Sequence, residues 1–388
     1  MNKILPGLGL RIVAAEALDA ILTRKCNADE AIAEASRKRG LEDRDHAFAV
    51  QIVLTTLRRM GEIDAILGER LSRPLPRKSG LALPILSCAV AQLLFLDTPA
   101  YAAIDLAVEA ARADRNARHF TGVINAVLRK VSASRCDVLG SEESSASNTP
   151  AWLWKRWIRQ YGLETAQKIA EAHLSEPQTD IVVKYEAKEW AERLGGTQLL
   201  GEHIRLPRLA APVSALPGFD SGGWWVQDFA AGLPVKLLGS VRGKRVADLC
   251  AAPGGKTLQL CCAGAEVTAV DSSAARLDRL RQNLLRTGCE ANVVCVDALK
   301  FEGQEDFDGV ILDAPCSATG TIRRHPELPF VKSERDISQL VKVQARLLDH
   351  AANLVKLDGV LVYCTRSLER EEGEQQIEEF LERRGDFS

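Results

Sequence analysis

The chain has 388 residues, 46% of them hydrophobic, and a formal net charge of −2. This size leaves room for more than one buried core and predicts two or three domains. The near-neutral charge excludes a protein that binds nucleic acid indiscriminately through a uniformly basic surface. The sequence has no signal-peptide pattern and no apolar run long enough to span a bilayer, so we expect a cytoplasmic protein without a membrane partner. The ten cysteines and six histidines lack metal-ligand spacing, so we expect no metal.

Apolar residues recur at helical spacing throughout residues 1–133, which predicts an all-helical domain. The predicted helices are Leu10–Arg24, Ala28–Lys38, Asp43–Arg59, Ile63–Leu71, Leu81–Leu94, Tyr101–Ala113 and His119–Val131. Basic residues are concentrated here, because residues 1–140 contain 20 Lys and Arg against 16 Asp and Glu, while the remainder is acidic. Neutralisation of phosphates drives much of nucleic-acid affinity, so this excess is a weak indication of RNA contacts.

The serine-rich residues 134–150 are predicted to form a linker, and residues 151–223 a mixed α/β connecting region. The connecting region begins with a helix rich in aromatic residues. Trp154, Trp157 and Tyr161 follow the i, i+3, i+7 spacing of a buried stripe, and only Trp152 lies off that face. Core packing is therefore favoured over a platform on which bases stack.

Residues 224–388 have the pattern of an α/β domain. The most informative stretch is Asp248-Leu249-Cys250-Ala251-Ala252-Pro253-Gly254-Gly255-Lys256-Thr257, which follows an apolar run and precedes a helical one. A strand that ends in a tight glycine-rich turn and opens a helix presents backbone N–H groups to the polar end of a ligand. The stretch therefore predicts a nucleotide-type cofactor site, with a plain structural turn as the alternative.

Three further predicted strands each end in an acidic residue. Asp271 follows the first strand by about 20 residues, the spacing at which a carboxylate meets a ribose. Asp297 and Asp313 end the third and fourth strands. Because ligands bind at the carboxyl edge of an open α/β sheet, these acids are predicted to lie around one site.

Together these stretches, with the run Asp313-Ala314-Pro315-Cys316-Ser317-Ala318-Thr319-Gly320, resemble the Sun/Nop group of RNA (cytosine-5)-methyltransferases. The resemblance implies a Rossmann-like fold that binds S-adenosylmethionine and methylates C5 of a cytosine in small-subunit ribosomal RNA. The residues implied at the methionine end of the cofactor are Cys250, Ala251, Ala252, Pro253, Gly254, Gly255 and Lys256. The resemblance also implies Asp271 on the ribose, Asp297 near the adenine, and Asp313 between cofactor and target base.

The helical domain resembles the NusB-like RNA-binding module that bacterial ribosomal-RNA members of the group carry. The resemblance rests on Arg44-Asp45-His46-Ala47-Phe48, Leu57-Arg58-Arg59, Asp97-Thr98-Pro99-Ala100-Tyr101 and Asn125-Ala126-Val127-Leu128-Arg129. In relatives the segment that corresponds to residues 151–223 helps to hold RNA. Ribosomal RNA is therefore the expected partner, and we expect a monomer. Candidate RNA contacts are Arg58, Arg59, Arg129, Arg323 and Arg324, with an ordinary solvated surface as the alternative.

The predicted chemistry requires a thiol, because cytosine C5 is a poor nucleophile until a thiolate has added to C6. Asp313 is the candidate acid that interacts with the ring nitrogen and the exocyclic amine as charge shifts. An amino-directed methyltransferase needs no thiol and commonly has a Pro-Pro pair where this chain has Pro315-Cys316. Methylation of carbon is therefore favoured.

The chain departs from the group at the nucleophile. Members carry a Thr-Cys-Ser motif, but this chain has Thr365-Arg366-Ser367, and arginine stays protonated and cannot add to C6. Cys364 would sit one pleat away, about 6 to 7 Å, which is too far for substitution in place. Cys316 is the better replacement, since DNA cytosine-5 methyltransferases use a Pro-Cys cysteine. The alternative is a catalytically inactive protein that binds RNA and S-adenosylmethionine.

Relatives in the group continue beyond the point at which this chain stops, after the predicted helix Gln375–Arg384. Their further strands complete the edge of the sheet. Loss of such strands would leave an exposed edge, so either this sequence is a fragment or the fold tolerates a shorter sheet.

Overall fold

A computed structural model describes residues 5–134, 145–209, 211–303 and 306–388, so residues 135–144 of the predicted linker lie outside the described residues. The chain divides into two compact units. The first extends to Glu176 and also includes Thr321–Glu334; the second comprises Pro177–Gly320 and Arg335–Ser388. None of the described helices combines the length and apolar character needed to cross a membrane.

In the described part of the first unit, seven long helices pack around two apolar clusters. The helices are α1 Leu8–Arg24, α2 Ala28–Arg39, α3 Asp43–Arg58, α4 Met60–Arg70, α5 Ala82–Phe95, α6 Ala100–Ala113 and α7 Thr121–Ala133. Helices α1 and α5 contribute to both clusters. The seven predicted helices are confirmed, with small shifts at their ends. Almost every residue of α5 is buried, which explains why its sequence is apolar on all sides.

The described part of the first unit has two more helices, α8 Ala151–Tyr161 and α9 Leu163–Leu174, and α8 carries the predicted aromatic stripe. Trp157 is fully buried against His173, with ring centroids 5.3 Å apart, whereas Trp154 and Tyr161 are half-buried. The core position of Trp157 is therefore confirmed. Residues 151–223, predicted from the sequence as one connecting region, are divided between the two units. Helices α8 and α9 belong to the first unit, and the residues from Pro177 onward belong to the second.

The segment 321–334 follows the Pro-Cys stretch in sequence but packs with the helices of the first unit. Three of its backbone carbonyls accept hydrogen bonds from side chains in α3, in α8 and directly after α1. The donors are Arg58 Nη2 to the Arg323 carbonyl at 3.0 Å, Trp152 Nε1 to the Pro329 carbonyl at 3.2 Å and Lys25 Nζ to the Phe330 carbonyl at 2.9 Å. The segment contains a one-turn helix, α10 Leu328–Val331.

The second unit begins with a small antiparallel sheet of order β2-β3-β1-β4. Its elements are β1 Asp180–Val183, α11 Ala187–Leu194, β2 Thr197–Gln198, β3 His203–Arg205 and β4 Trp224–Val226. The buried Asp180 carboxylate accepts two hydrogen bonds from Arg205 and one from the backbone N–H of Phe229, so it ties this sheet to the next helix.

The rest of the second unit is a five-stranded parallel sheet of order β7-β6-β5-β8-β9 flanked by helices. The strands are β5 Arg245–Leu249, β6 Glu266–Asp271, β7 Asn292–Cys295, β8 Phe307–Asp313 and β9 Val355–Cys364. The helices are α12 Phe229–Leu237, α13 Gly255–Cys262, α14 Ala274–Thr287, α15 Glu334–Ala352 and α16 Glu374–Arg383. The predicted fold class, a helical domain followed by a Rossmann-like α/β domain, is confirmed. The strand order reverses between β5 and β8, which is where such sheets bind ligands.

We predict that Trp157→Ala lowers the free energy of unfolding by about 3 to 5 kcal/mol, because it removes a fully buried aromatic side chain. Chemical denaturation of the full chain measures this. Trp154→Ala is the matched control and should cost clearly less, since Trp154 is only half-buried. Equal losses in the two variants would contradict the packing described here.

Candidate active site

The turn that joins β5 to α13 has a backbone conformation and a close packing that require glycine at two positions. Cys250 has a φ of 61° and Gly254 a φ of 104°, both in the left-handed region. A Cβ at Gly254 would lie 2.9 Å from Leu280 Cγ, and one at Gly255 would lie 3.0 Å from Gln227 Cδ. Both glycines are therefore fixed by close packing, and the first turn of α13 begins directly at this bend.

Asp248, the last but one residue of β5, is fully buried. Its Oδ2 accepts a hydrogen bond from Thr257 Oγ1 at 2.6 Å, whereas Oδ1 has no hydrogen-bond partner among the described residues. Burial raises the pKa of Asp248 to about 6, although Thr257 and Lys256 favour the charged form. A buried acceptor without a partner, beside a helix N-terminus, is what a cofactor with polar groups would satisfy.

Asp271 ends β6 and holds the turn from the other side. Its Oδ2 accepts from the backbone N–H of Ala252 at 3.2 Å, and its Oδ1 accepts from the backbone N–H of Ser273 at 2.9 Å. Arg276 lies 3.5 Å from Oδ2. Each carboxylate oxygen can accept a second hydrogen bond, so Asp271 retains the capacity to bind hydroxyl groups.

Asp297 lies at the end of β7 and is exposed. Its Oδ1 accepts from the backbone N–H of Leu299 at 3.0 Å and caps a short helical turn. Because β7 pairs with β6, Asp297 and Asp271 follow neighbouring strands at the same edge of the sheet.

Lys256 and Asp313 form an ion pair, with Lys256 Nζ 2.8 Å from Asp313 Oδ2. Lys256 is buried at the start of α13 and Asp313 ends β8, so the pair joins the two sides of the sheet reversal. Burial opposes the charge of Lys256, but Asp313 and neighbouring acidic groups outweigh it and raise the pKa of Lys256.

Cys316 and position 366 lie side by side. The backbone N–H of Arg366 donates a hydrogen bond to Cys316 Sγ at 3.3 Å, although the two residues are far apart in sequence. Burial raises the pKa of the Cys316 thiol, and the backbone N–H and the charge of Arg366 oppose that shift. The Arg366 residue itself is exposed.

Cys364 does not share this position. Its thiol donates to the backbone carbonyl of Leu312 at 3.6 Å and packs against the apolar cluster under the sheet, which includes Val246 and Val362. Burial raises its pKa to about 12. These contacts agree with the expectation that Cys364 cannot replace a nucleophile at position 366.

The RNA-contact hypothesis for Arg58 is wrong, because this side chain is buried and its guanidinium is bonded to the carbonyl of Arg323. Arg59 is engaged within the helical unit, with Glu62 at 3.0 Å and the Phe95 ring at 5.1 Å. Arg129 is exposed, and Arg323 and Arg324 are half-buried, so RNA contacts there stay predictions.

Sequence reasoning missed Glu372 and Gln344, both fully buried beside the Pro-Cys loop. Glu372 lies in a run of acidic residues whose composition is typical of a solvated helix start. Gln344 lies on the amphipathic α15 among residues that give no chemical signal. No local pattern in the sequence distinguishes Glu372 from the solvated acidic residues around it.

The fold and this site define a Rossmann-like methyltransferase preceded by a NusB-like helical domain. Residues 235–388 match the model of the 16S rRNA methyltransferase RsmB/F family, and residues 9–133 match the NusB family. Ribosomal RNA small subunit methyltransferase B of Klebsiella pneumoniae is 35% identical over 98% of this chain and 91% of its own length. The protein of that name in Escherichia coli O1:K1 is 33% identical over 97% and 91%. The chain therefore belongs to the RsmB/F family of ribosomal RNA methyltransferases.

Solved structures agree with this assignment. The crystal structure of PH0851 is similar with a TM-score of 0.72 and 25% identity, covering 98% of this chain and 90% of that one. A methyltransferase homologue from Pyrococcus horikoshii has a TM-score of 0.53 and 30% identity over 59% and 77%. The methyltransferase class confirms S-adenosylmethionine as the cofactor. The unpartnered Asp248 Oδ1, on the strand that ends at the turn before α13, fits such a group.

We predict that Asp248 makes stability depend on pH between about 4 and about 6. The folded-state pKa of about 6 lies above the ordinary value of 3.8, so the folded state binds more protons and loses stability as pH rises through this window. Relative to Asp248→Asn, the wild-type free energy of unfolding should fall by about 3 kcal/mol across the window.

Urea denaturation at a series of pH values measures this difference. Thr257→Val is the matched variant, because removal of the hydroxyl that stabilises the charged carboxylate should extend the loss to higher pH. Parallel pH curves for wild type and Asp248→Asn would contradict the prediction.

Proposed function

We propose that this protein methylates C5 of a cytosine in small-subunit ribosomal RNA, with Cys316 as its nucleophile. The observation that carries the proposal is the contact of 3.3 Å between Cys316 Sγ and the backbone N–H of Arg366. This contact brings together the two positions at which cytosine-5 chemistry uses thiols. Cys316 lies in the Pro-Cys loop, three residues after Asp313. An amino-directed enzyme would have no use for a thiol there.

The reaction divides among residues of the site. The Cys316 thiolate forms a bond to C6, which makes C5 electron-rich enough to take up a methyl group. Once C5 carries that methyl group, loss of the C5 proton to a base restores the C5–C6 double bond, and the bond between Cys316 and C6 breaks to release the thiolate. S-adenosylmethionine supplies the electrophilic methyl group on its sulfonium. Lys256 holds Asp313 Oδ2, so Oδ1 is available to hydrogen-bond the cytosine ring nitrogen or amine as charge shifts.

The cofactor would lie along the carboxyl edge of the sheet. We assign its methionine end to the turn Cys250–Lys256, its ribose to Asp271 and its adenine to Asp297. The spare acceptor capacity of Asp271 and the packed glycines support this arrangement. The target base must leave its helix or be single-stranded, because C5 and C6 must reach both thiol and sulfonium. We propose that residues 1–133 bind the RNA.

A second candidate is a catalytically inactive protein that binds RNA and S-adenosylmethionine. Two observations favour it: Arg366 cannot act as a nucleophile, and burial raises the pKa of Cys316, which lowers the thiolate fraction. Both candidates retain the cofactor site, so cofactor binding alone does not separate them.

We predict that Arg366→Cys raises methyl transfer to unmodified small-subunit ribosomal RNA by orders of magnitude, because it supplies a second thiol beside Cys316. Mass spectrometry of the RNA for 5-methylcytosine measures the product. Arg370→Cys is the matched control, since it places a thiol on an exposed neighbouring turn. No gain over this control would mean that the residue at position 366 does not limit the reaction.

Cys316→Ala separates the two candidates in the natural chain. We expect it to abolish any 5-methylcytosine formation while calorimetry shows unchanged affinity for S-adenosylmethionine, because Cys316 lies on the Pro-Cys loop rather than on the cofactor turn. Activity that survives Cys316→Ala would exclude Cys316 as nucleophile. Absence of activity in the parent chain, with intact cofactor binding, would favour the inactive binding protein.

A further inference from the structure

Glu372 is a fully buried acidic residue directly before α16. Removing a carboxylate from water costs free energy unless hydrogen bonds replace the lost hydration. Here the replacement is extensive. Oε1 accepts from the backbone N–H of Ser317 and from Gln344 Nε2, each at 2.9 Å, and Oε2 accepts from Ser367 Oγ at 2.6 Å and from Ser317 Oγ.

These donors come from three separate segments of the second unit. Ser317 directly follows Cys316, and Ser367 directly follows Arg366, so one carboxylate binds the neighbours of both site positions. Gln344, from α15, donates to Glu372 and also to the backbone carbonyl of Pro315 at 2.9 Å. Glu372 therefore connects the Pro-Cys loop to the segment that carries position 366.

Further hydrogen bonds reinforce this connection without involving the cofactor turn. Thr319 Oγ1 accepts from the backbone N–H of Leu368, and the backbone N–H of Gly320 donates to the carbonyl of Arg366, both at 2.9 Å. Tyr363 donates its hydroxyl to the backbone carbonyl of Glu372 at 2.9 Å. The two loops are thus joined at several points, with the Glu372 carboxylate as their common acceptor.

We propose that Glu372 is a positioning residue that holds position 366 against Cys316. This inference rests on the proposed function for its substrate. Glu372 acts through Ser317 and Ser367 and does not itself touch the base. A carboxylate suits the role because four donors converge on it. A glutamine would lose the charge-assisted hydrogen bonds, and its amide would have to donate to Ser317 Oγ and Ser367 Oγ, whose own protons would then need other acceptors.

The test measures the distance between the loops without requiring activity. In full-length Arg366→Cys protein, diamide oxidises Cys316 and the introduced thiol to a disulfide and is itself reduced to the hydrazine. Peptide mapping by mass spectrometry quantifies that disulfide over time. Adding Glu372→Gln should slow its formation about 10-fold or more, since small displacements of reacting atoms have large effects on rate.

Glu374→Gln, an exposed acid two residues further on, is the matched control and should leave the rate unchanged. Ser367→Ala removes one donor to the carboxylate and gives a smaller slowing in a variant that retains Glu372. Unchanged disulfide formation in Glu372→Gln would overturn the proposal. The proposal would also be overturned if Glu372→Gln lowered the affinity for S-adenosylmethionine, measured by calorimetry, by the same factor as the rate of disulfide formation. Glu372 would then support the whole domain rather than position the two loops.

Methyl transfer provides the second measurement. In the Arg366→Cys background, Glu372→Gln should lower kcat and leave the KM for S-adenosylmethionine unchanged. If no variant forms 5-methylcytosine, the proposed function fails, and the disulfide rates still decide the role of Glu372.

Discussion

The site depends on the way in which Asp271 closes the turn after β5. Its two carboxylate oxygens accept from the backbone of Ala252 and of Ser273, so a single side chain fixes the turn and the start of α14 together. With Gly254 packed against Leu280, the turn has almost no alternative conformation. The direction of α13 follows from this turn, and that direction is what brings Lys256 to Asp313.

The helices and the strand ends were predictable because each leaves a local signal in the sequence. Periodic apolar residues identified the seven helices, and an acid after each apolar run identified the carboxyl edge of the sheet. The positions of Arg58 and Glu372 were not predictable, since each is buried by segments distant in sequence: Arg58 by the residues around Arg323, and Glu372 by Ser317 and Gln344. A charged residue can be predicted to be exposed only if no distant segment of the chain supplies hydrogen-bonding partners that bury it.

The contact between Cys316 and position 366 is made by a backbone N–H, so it does not depend on which side chain position 366 carries. The same is true of the bond from Gly320 to the carbonyl of Arg366. The loops can therefore keep their arrangement while the chemistry at position 366 changes. These backbone contacts explain how an arginine fits where the family resemblance leads us to expect a cysteine. Position 366 can lack a thiol while the structure of the two loops is retained.

The chain passes between its two units three times, at residues 176, 320 and 334. A single cut after residue 176 cannot yield an intact second unit, because segment 321–334 would remain attached to it. In that fragment, Phe330 and Val331 would have lost the apolar cluster that they pack against. Separate production of that unit therefore calls for a short polar bridge in place of the segment. In evolutionary terms, neither half could be exchanged for a foreign domain by simple end-to-end fusion.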